Sequence, residues 1–302
     1  MTRKILTAAI CVGVLSTIGT AVQQPPNFRS STRTVAVFAT VQDRAGRLVP
    51  DLTREEFEVL DNGRQVEISV FSNEPQPITA VVMLDMSGSM WSQLPRLQTS
   101  LEYVVSTLRP GDRIRIGTFG TEVSLSHWLT GDGHVLRRVI REELWPGGSS
   151  PLWRALDMSM TSLAGEQGRR VVLALTDGVN HAPGGKGLPE IPGGFGSVTR
   201  RAVADPDVMF YAVGYGDPHY GQRLRGDIVD LTDLTGGGHT NVPPSADLGQ
   251  AFARIGEELR HQYLIGFVPD TVDGPARRLE VRSKRSGVKV RARTTYLPGD
   301  AR

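Results

Sequence analysis

The sequence predicts an α/β fold: a doubly wound, mostly parallel sheet inserted in a small β domain built by the N- and C-terminal flanks together. Three observations point to it. Ile78 to Leu84 (ITAVVML) and Val171 to Leu175 are continuous apolar runs, as strands covered on both faces require. Apolar residues recur at helical spacing after the first run (Leu94, Leu97, Leu101, Val104, Leu108) and near the end (Leu248, Phe252, Ile255, Leu259). The flanks on either side of 77–262 instead alternate with period two, the grammar of half-buried strands.

The chain begins with a segment that the fold does not need. Arg3 and Lys4 precede an apolar run from Ile5 to Ile18, and Gly19-Thr20-Ala21 offers small residues for cleavage. Residues 1–21 therefore read as a secretory signal peptide, too short and too polar downstream for a comfortable span. An uncleaved N-terminal anchor is the competing reading. Cys11, the only cysteine, lies inside the signal. The exported chain would then lack disulfides and depend on its core, for which its length is ample. Without Arg3 and Lys4, the 34 basic residues fall to 32, equal to the 32 acidic ones. A balanced charge gives no pointer to nucleic acid or an anionic membrane. The expected location is secreted or periplasmic, with no membrane span once the signal is removed.

Residues 22–33 read as a flexible, Pro-containing leader. Within 34–76, Val35, Val37, Ala39 and Val41 alternate as a strand. Asp61-Asn62-Gly63 between Phe57-Val59 and Val66-Ile68-Val70 reads as a hairpin, since Asn-Gly supplies the positive φ of a tight turn. Pro75 and Pro77 mark a linker. Within 77–262, strands are expected at 78–84, 113–119, 123–129, 171–175, 208–213 and, short and at an edge, 236–242. Helices are expected from Leu94, around Val135–Ile140, from Leu152 to Leu163, over Asp227–Leu234 and from Leu248. Ser150-Pro151 reads as an N-cap and first helical residue. Residues 184–196 (GGKGLPEIPGGFG) read as a mobile loop. In 263–302, strands at 263–268, 278–282 and 288–296 are too few to stand alone and are expected to pair with 34–73.

The chemistry concentrates in three places. Asp85-Met86-Ser87-Gly88-Ser89 follows the first buried strand, with short oxygen side chains at i, i+2 and i+4 and a glycine to allow tight curvature. Thr176-Asp177-Gly178 ends the second buried strand. In a parallel sheet, both carboxylates then stand at carboxyl ends of strands, where open α/β sheets bind ligands. Gly147-Gly148-Ser149-Ser150 adds hydroxyls from a glycine-rich loop. Oxygen-only ligands favour Mg²⁺, with Mn²⁺ or Ca²⁺ as substitutes.

These residues resemble the metal-ion-dependent adhesion site of von Willebrand factor A (VWA) domains, a Rossmann-like family. Asp85, Ser87 and Ser89 match its Asp-x-Ser-x-Ser, Ser150 stands where its loop threonine falls, and Asp177 matches its later aspartate. The resemblance covers about residues 76–262. Pro50-Asp51-Leu52-Thr53, Phe57-Glu58-Val59 and Leu259 to Gly266 (LRHQYLIG) also resemble a wider group of bacterial secreted proteins, the VWFA-related domain proteins common in Acidobacteria. The resemblance implies that Ser87, Ser89 and Ser150 touch the metal, while Asp85 and Asp177 act largely through water. Little negative charge then reaches the ion, and an open position is left for an Asp or Glu of a protein partner. The expected role is adhesion-type binding, not catalysis. Serine for threonine at 150 keeps the hydroxyl but loses the methyl that restrains χ1, and Ser149 is an adjacent rival.

Other readings compete with these. The Asp85–Ser89 turn can be an ordinary strand-to-helix loop with caps, and Ser150 can cap a helix instead of binding metal. The metal can be purely structural, in a scaffold. A metal-assisted or Ser87/Ser89-dependent hydrolase is the remaining option, although the chain lacks a G-x-S-x-G elbow. Arg225-Gly226-Asp227 is read as a helix start capped by Asp227, and His181 as a loop histidine. Trp145 and Trp153 flank the glycine loop, with core packing expected and a rim position as the alternative. The basic run from Arg277 to Arg293 reads as the solvated face of two strands.

Overall fold

A strand buried along its whole length, Thr79–Asp85, apolar from Ala80 to Leu84, is central to the α/β sheet. The computed structural model describes residues 34–177, 194–215, 223–224, 226–243, 245–271 and 273–298, without the side chains of Ser89 and Trp91. The expected signal peptide and leader lie outside the described residues, as do His181, Arg225 and residues 184–193 of the glycine- and proline-rich loop.

Four strands come first: β1 (Val35–Asp43), β2 (Phe57–Asp61), β3 (Arg64–Val66) and β4 (Ile68–Ser72). The α/β portion follows with β5 (Thr79–Asp85), α1 (Leu94–Ser106), β6 (Arg113–Phe119), β7 (Val123–Leu125), α2 (Gly133–Glu142) and α3 (Leu152–Leu163). It continues with β8 (Arg170–Thr176), α4 (Phe195–Ala204), β9 (Val208–Tyr215), α5 (Asp227–Thr235), β10 (His239–Val242) and α6 (Leu248–Arg260). The chain closes with β11 (Tyr263–Phe267), β12 (Arg277–Ser283), β13 (Val288–Ala292) and β14 (Thr295–Tyr296).

The α/β portion is one six-stranded sheet in the order β10-β9-β8-β5-β6-β7, parallel except at β7. Alternate residues of β5 serve opposite faces. Ala80, Val82 and Leu84 pack with Leu97 and Leu101 of α1, Val139 of α2 and Phe252 of α6. Val81 and Met83 pack with Leu156 of α3, Val198 of α4 and Ile228 of α5. Three helices on each face explain why β5 and β8 are buried along their whole length.

The flanks form two antiparallel four-stranded sheets, β13-β1-β11-β4 and β14-β12-β2-β3, around their own core. Pairing of β1 with β11 and of β2 with β12 joins the N-terminal segment to the C-terminal one, as the sequence predicts. Asn62 and Gly63 take positive φ at the β2–β3 turn, which is the Asn-Gly hairpin geometry.

The structure corrects several expectations. The run Val66–Val70 is two strands in different sheets, β3 beside β2 and β4 beside β11. Residues 288–296 likewise divide into β13 beside β1 and β14 beside β12. A strand that crosses a sandwich corner keeps its alternation, so the pattern does not reveal the crossing. Helix α4 was not expected, because only Val198 and Ala202 are buried in it. The strand at 123–129 stops at Leu125, and that at 236–242 starts at His239. Asp227 lies inside α5 and caps nothing; Gly226 holds the cap position at φ 58°. Arg293 leaves the solvated basic face altogether. Its guanidinium is buried and donates to the carbonyls of Ala202, Asp205, Val208 and Thr295.

Candidate metal centre

Asp85 is the last residue of β5 and Asp177 directly follows β8, and these two strands are parallel neighbours. Both carboxylates therefore emerge at the same end of the sheet. Asp85 is fully buried and Asp177 nearly so. Desolvation raises the Asp85 carboxyl above its ordinary value, and the like charge of Asp177 adds to that rise. Hydrogen bonds from Ser87 and Thr176 pull the other way.

Each bond to Asp85 has a definite origin. Oδ1 accepts from the Ser87 amide at 3.0 Å, as the chain turns just past the strand. Oδ2 accepts from the hydroxyls of Ser150 at 3.0 Å and Thr176 at 2.8 Å. All these donors are neutral, so no side-chain cation offsets the buried charge through them. Met90 N–H donates to Ser87 O at 2.9 Å, which closes the turn into a 3₁₀ segment, Gly88–Gln93. Tyr215, at the end of β9, donates its hydroxyl to Gln93 Oε1 at 3.2 Å and braces the far side of that segment.

The glycine loop is held against the same turn by backbone contacts. Gly147 N–H donates to Met86 O at 2.6 Å, and Thr121 N–H donates to Gly147 O at 2.8 Å. A Cβ on Gly120 would lie 2.4 Å from Gly147 O. One on Gly148, at φ +85°, would lie 2.4 Å from Thr121 N. These two glycines let the loop approach closely enough for Ser150 to reach Asp85. Gly88 is not among the positive-φ glycines and a Cβ there meets nothing within 4 Å, so the turn does not depend on a glycine at this position.

Four of the five expected site residues, Asp85, Ser87, Ser150 and Asp177, come together here as buried groups. Ser89 occupies the 3₁₀ segment, but its side chain is outside those described. Ser150 does not cap α3, which begins after Pro151 with no side-chain cap bond; its hydroxyl goes to Asp85 instead. Ser149 is half-buried, and no hydrogen bond joins it to Asp85. Thr176 is the contributor that sequence reading left without a role. A threonine closing a buried strand was visible, but its aim at Asp85 depends on strand register. The brace from Tyr215 to Gln93 left no sequence signal at all.

The donor set fits a hard cation. It consists of oxygen atoms only, and a hydroxyl that donates its proton to Asp85 keeps lone pairs for an ion. Among the described residues no three His, Cys, Asp or Glu side chains cluster as a metal cage. An ion held here would lean on hydroxyls as well as on Asp85 and Asp177.

The known proteins agree on the fold. The family model of the von Willebrand factor type A domain matches residues 80–180. A von Willebrand factor type A protein from Catenulispora acidiphila superposes with TM-score 0.50 at 10% identity, covering 88% of this chain and 75% of that one. Proximal thread matrix protein 1 from the mussel byssus, described with a zinc-occupied MIDAS motif, gives TM-score 0.51 at 14% identity, covering 67% of this chain and 50% of that one. No curated protein matches the sequence.

Proposed function

We propose that the von Willebrand factor type A domain of this chain is a metal-dependent protein-binding module acting outside the cytoplasm. Asp85, Ser87, Ser89, Ser150 and Asp177 would hold one divalent cation, Mg²⁺ by the hardness of the oxygen set, with Mn²⁺ or Ca²⁺ as substitutes. The bound ion supplies a Lewis-acidic position that an Asp or Glu of a partner fills. The observation that carries this is the buried, like-charged pair Asp85 and Asp177 at adjacent strand ends, with Ser150 brought to it by the glycine loop. A fold that buries two neighbouring carboxylates bears a cost that a cation removes. Zinc in the mussel protein's motif supports a divalent ion in a fold of this kind. The signal-like segment 1–21 supports export. No helix among the described residues is long and apolar enough to cross a membrane.

Thermal unfolding with Mg²⁺ and with EDTA tests metal binding. A ligand at about a hundred times its Kd stabilises by about 2.7 kcal/mol, so the wild type should melt several degrees higher with Mg²⁺. Asp85→Ala should abolish that difference. An unchanged melting temperature in EDTA, with unchanged capture of proteins from native extract, would sink the proposal. Titration with acetate or a Glu-containing peptide separates the module from a scaffold with a purely structural ion, which would not respond. Turnover of ester, peptide or phosphate substrates beyond that of Ser87→Ala would favour the hydrolase reading instead.

A further inference from the structure

Trp145 is the most exposed large apolar side chain among the described residues, at 78% of its full surface. Tryptophan is highly buried on average, so an exposed one near a candidate site is a candidate contact residue. Its position is fixed. The indole N–H donates to the Glu142 carbonyl at 3.1 Å, at the end of α2. Pro146 follows with its locked φ, and Gly147 is then bonded on both sides, to Met86 and Thr121. Met86 lies between Asp85 and Ser87. Two residues span at most about 7 Å, so the Trp145 backbone lies one short step from the glycine that is bonded to the metal-site turn.

Three exposed acids stand on or beside that segment. Glu142, Glu143 and Glu122 are exposed, and none of them has an ion-pair partner among the described residues. Glu122 is next to Thr121, which binds Gly147. Arg141, the cation nearest in sequence, is already paired with Glu102 at 3.0 Å. Arg138 of α2 is exposed too, but it lies a turn before Glu142, farther from Trp145 than the two acids, while Arg96 belongs to α1 and Arg154 to α3. An aromatic face set among carboxylates attracts a cation and disfavours a second acid.

We propose that Trp145 determines specificity, by stacking on a Lys or Arg that the partner carries close in sequence to the Asp or Glu it offers the metal. This rests on the metal-dependent reading of the site. The partner segment would then be dipolar, its acid on the ion and its base on the indole, with Glu122, Glu142 and Glu143 behind the base.

Blocked peptides with one Glu, and a Lys one to four residues away, test this by calorimetry in Mg²⁺. Matched peptides carry Leu or a second Glu in place of Lys. The full-length wild type should prefer the best Lys peptide by about fivefold to tenfold, the range of a partly desolvated cation–π contact. Trp145→Ala should bring that preference within twofold, whereas Trp145→Phe should keep part of it. Trp128→Ala is the control. Trp128 is also exposed, but it lies beside the Ile114–Thr130 bridge, toward the other end of β6. A Leu preference, or a Lys preference that survives in Trp145→Ala, overturns the assignment while leaving metal binding intact. Absence of Mg²⁺-dependent binding by every peptide overturns the proposed function, and this inference with it.

Discussion

Asp85 brings two opposing demands onto one side chain. Its carboxylate is fully buried, its donors among the described residues are neutral, and burial raises its pKa. A raised carboxyl pKa in the fold means that the charged form is disfavoured there. Metal-free stability should therefore fall as pH rises through the unfolded value of about 3.9 toward the higher folded one. Asp85→Asn removes the charge and keeps the shape. In EDTA at pH 7 it should melt no lower than wild type, and it should show no rise with Mg²⁺. A large loss of metal-free stability in this variant would mean that the charge itself helps the fold. The hydroxyl of residue 150 should behave differently. Ser150→Ala should weaken Mg²⁺ binding by roughly tenfold, as loss of one ligand or its support does. Ser150→Thr should retain or tighten it, because the methyl restricts χ1. Isothermal titration reads both.

At the scale of elements, the loop between α2 and α3 matters most. Gly148→Ala forces a side chain into a positive-φ position and against the Thr121 backbone. It should cost about 1–3 kcal/mol of stability and loosen Mg²⁺ binding through Ser150, measurable by urea unfolding and by titration. The same loop shows what a sequence can and cannot disclose. The two buried strands, the acids that end them and the glycine-rich loop were legible, because continuous apolar runs and short oxygen residues are local signals. Gly120 was not, because its need for no side chain arises from Gly147, which joins it only in the folded state. Thr176 was not, because register between β5 and β8 sets its aim. The corners at Glu67 and Arg293 were hidden for a similar reason. Alternation says which residues face inward, but not which of two sheets they belong to.

Over the whole molecule, the sandwich and the α/β portion are joined by buried polar contacts as well as by chain. Glu258 on α6 accepts from Thr40 of β1 at 3.3 Å, from Tyr211 of β9 at 2.5 Å and from Arg291 of β13. Gln262 donates to Thr40 and Tyr211, and it accepts from Arg169. Burial lowers the Arg169 and Arg293 guanidinium groups to about 10, so both stay charged at neutral pH. Neutralising Glu258 leaves the Arg291 guanidinium beside it without its anion, while Thr40 and Tyr211 keep Gln262. Glu258→Gln should cost about 3–5 kcal/mol. Both portions should then lose stability together in urea, as a single transition with a lower midpoint.

The pairing of β1 with β11 and of β2 with β12 also imposes a timetable on synthesis. The first strands made are completed by nearly the last ones, with roughly two hundred residues between them. At about 5–20 residues per second, β1 and β2 wait for tens of seconds with open edges and an apolar face. The α/β portion, whose neighbouring strands are closer in the chain, has time to form during that interval. A chain that stops before Tyr263 never ends the wait. Early termination should thus release a species with a finished metal site and two unmated strands, the kind of edge on which other chains stack.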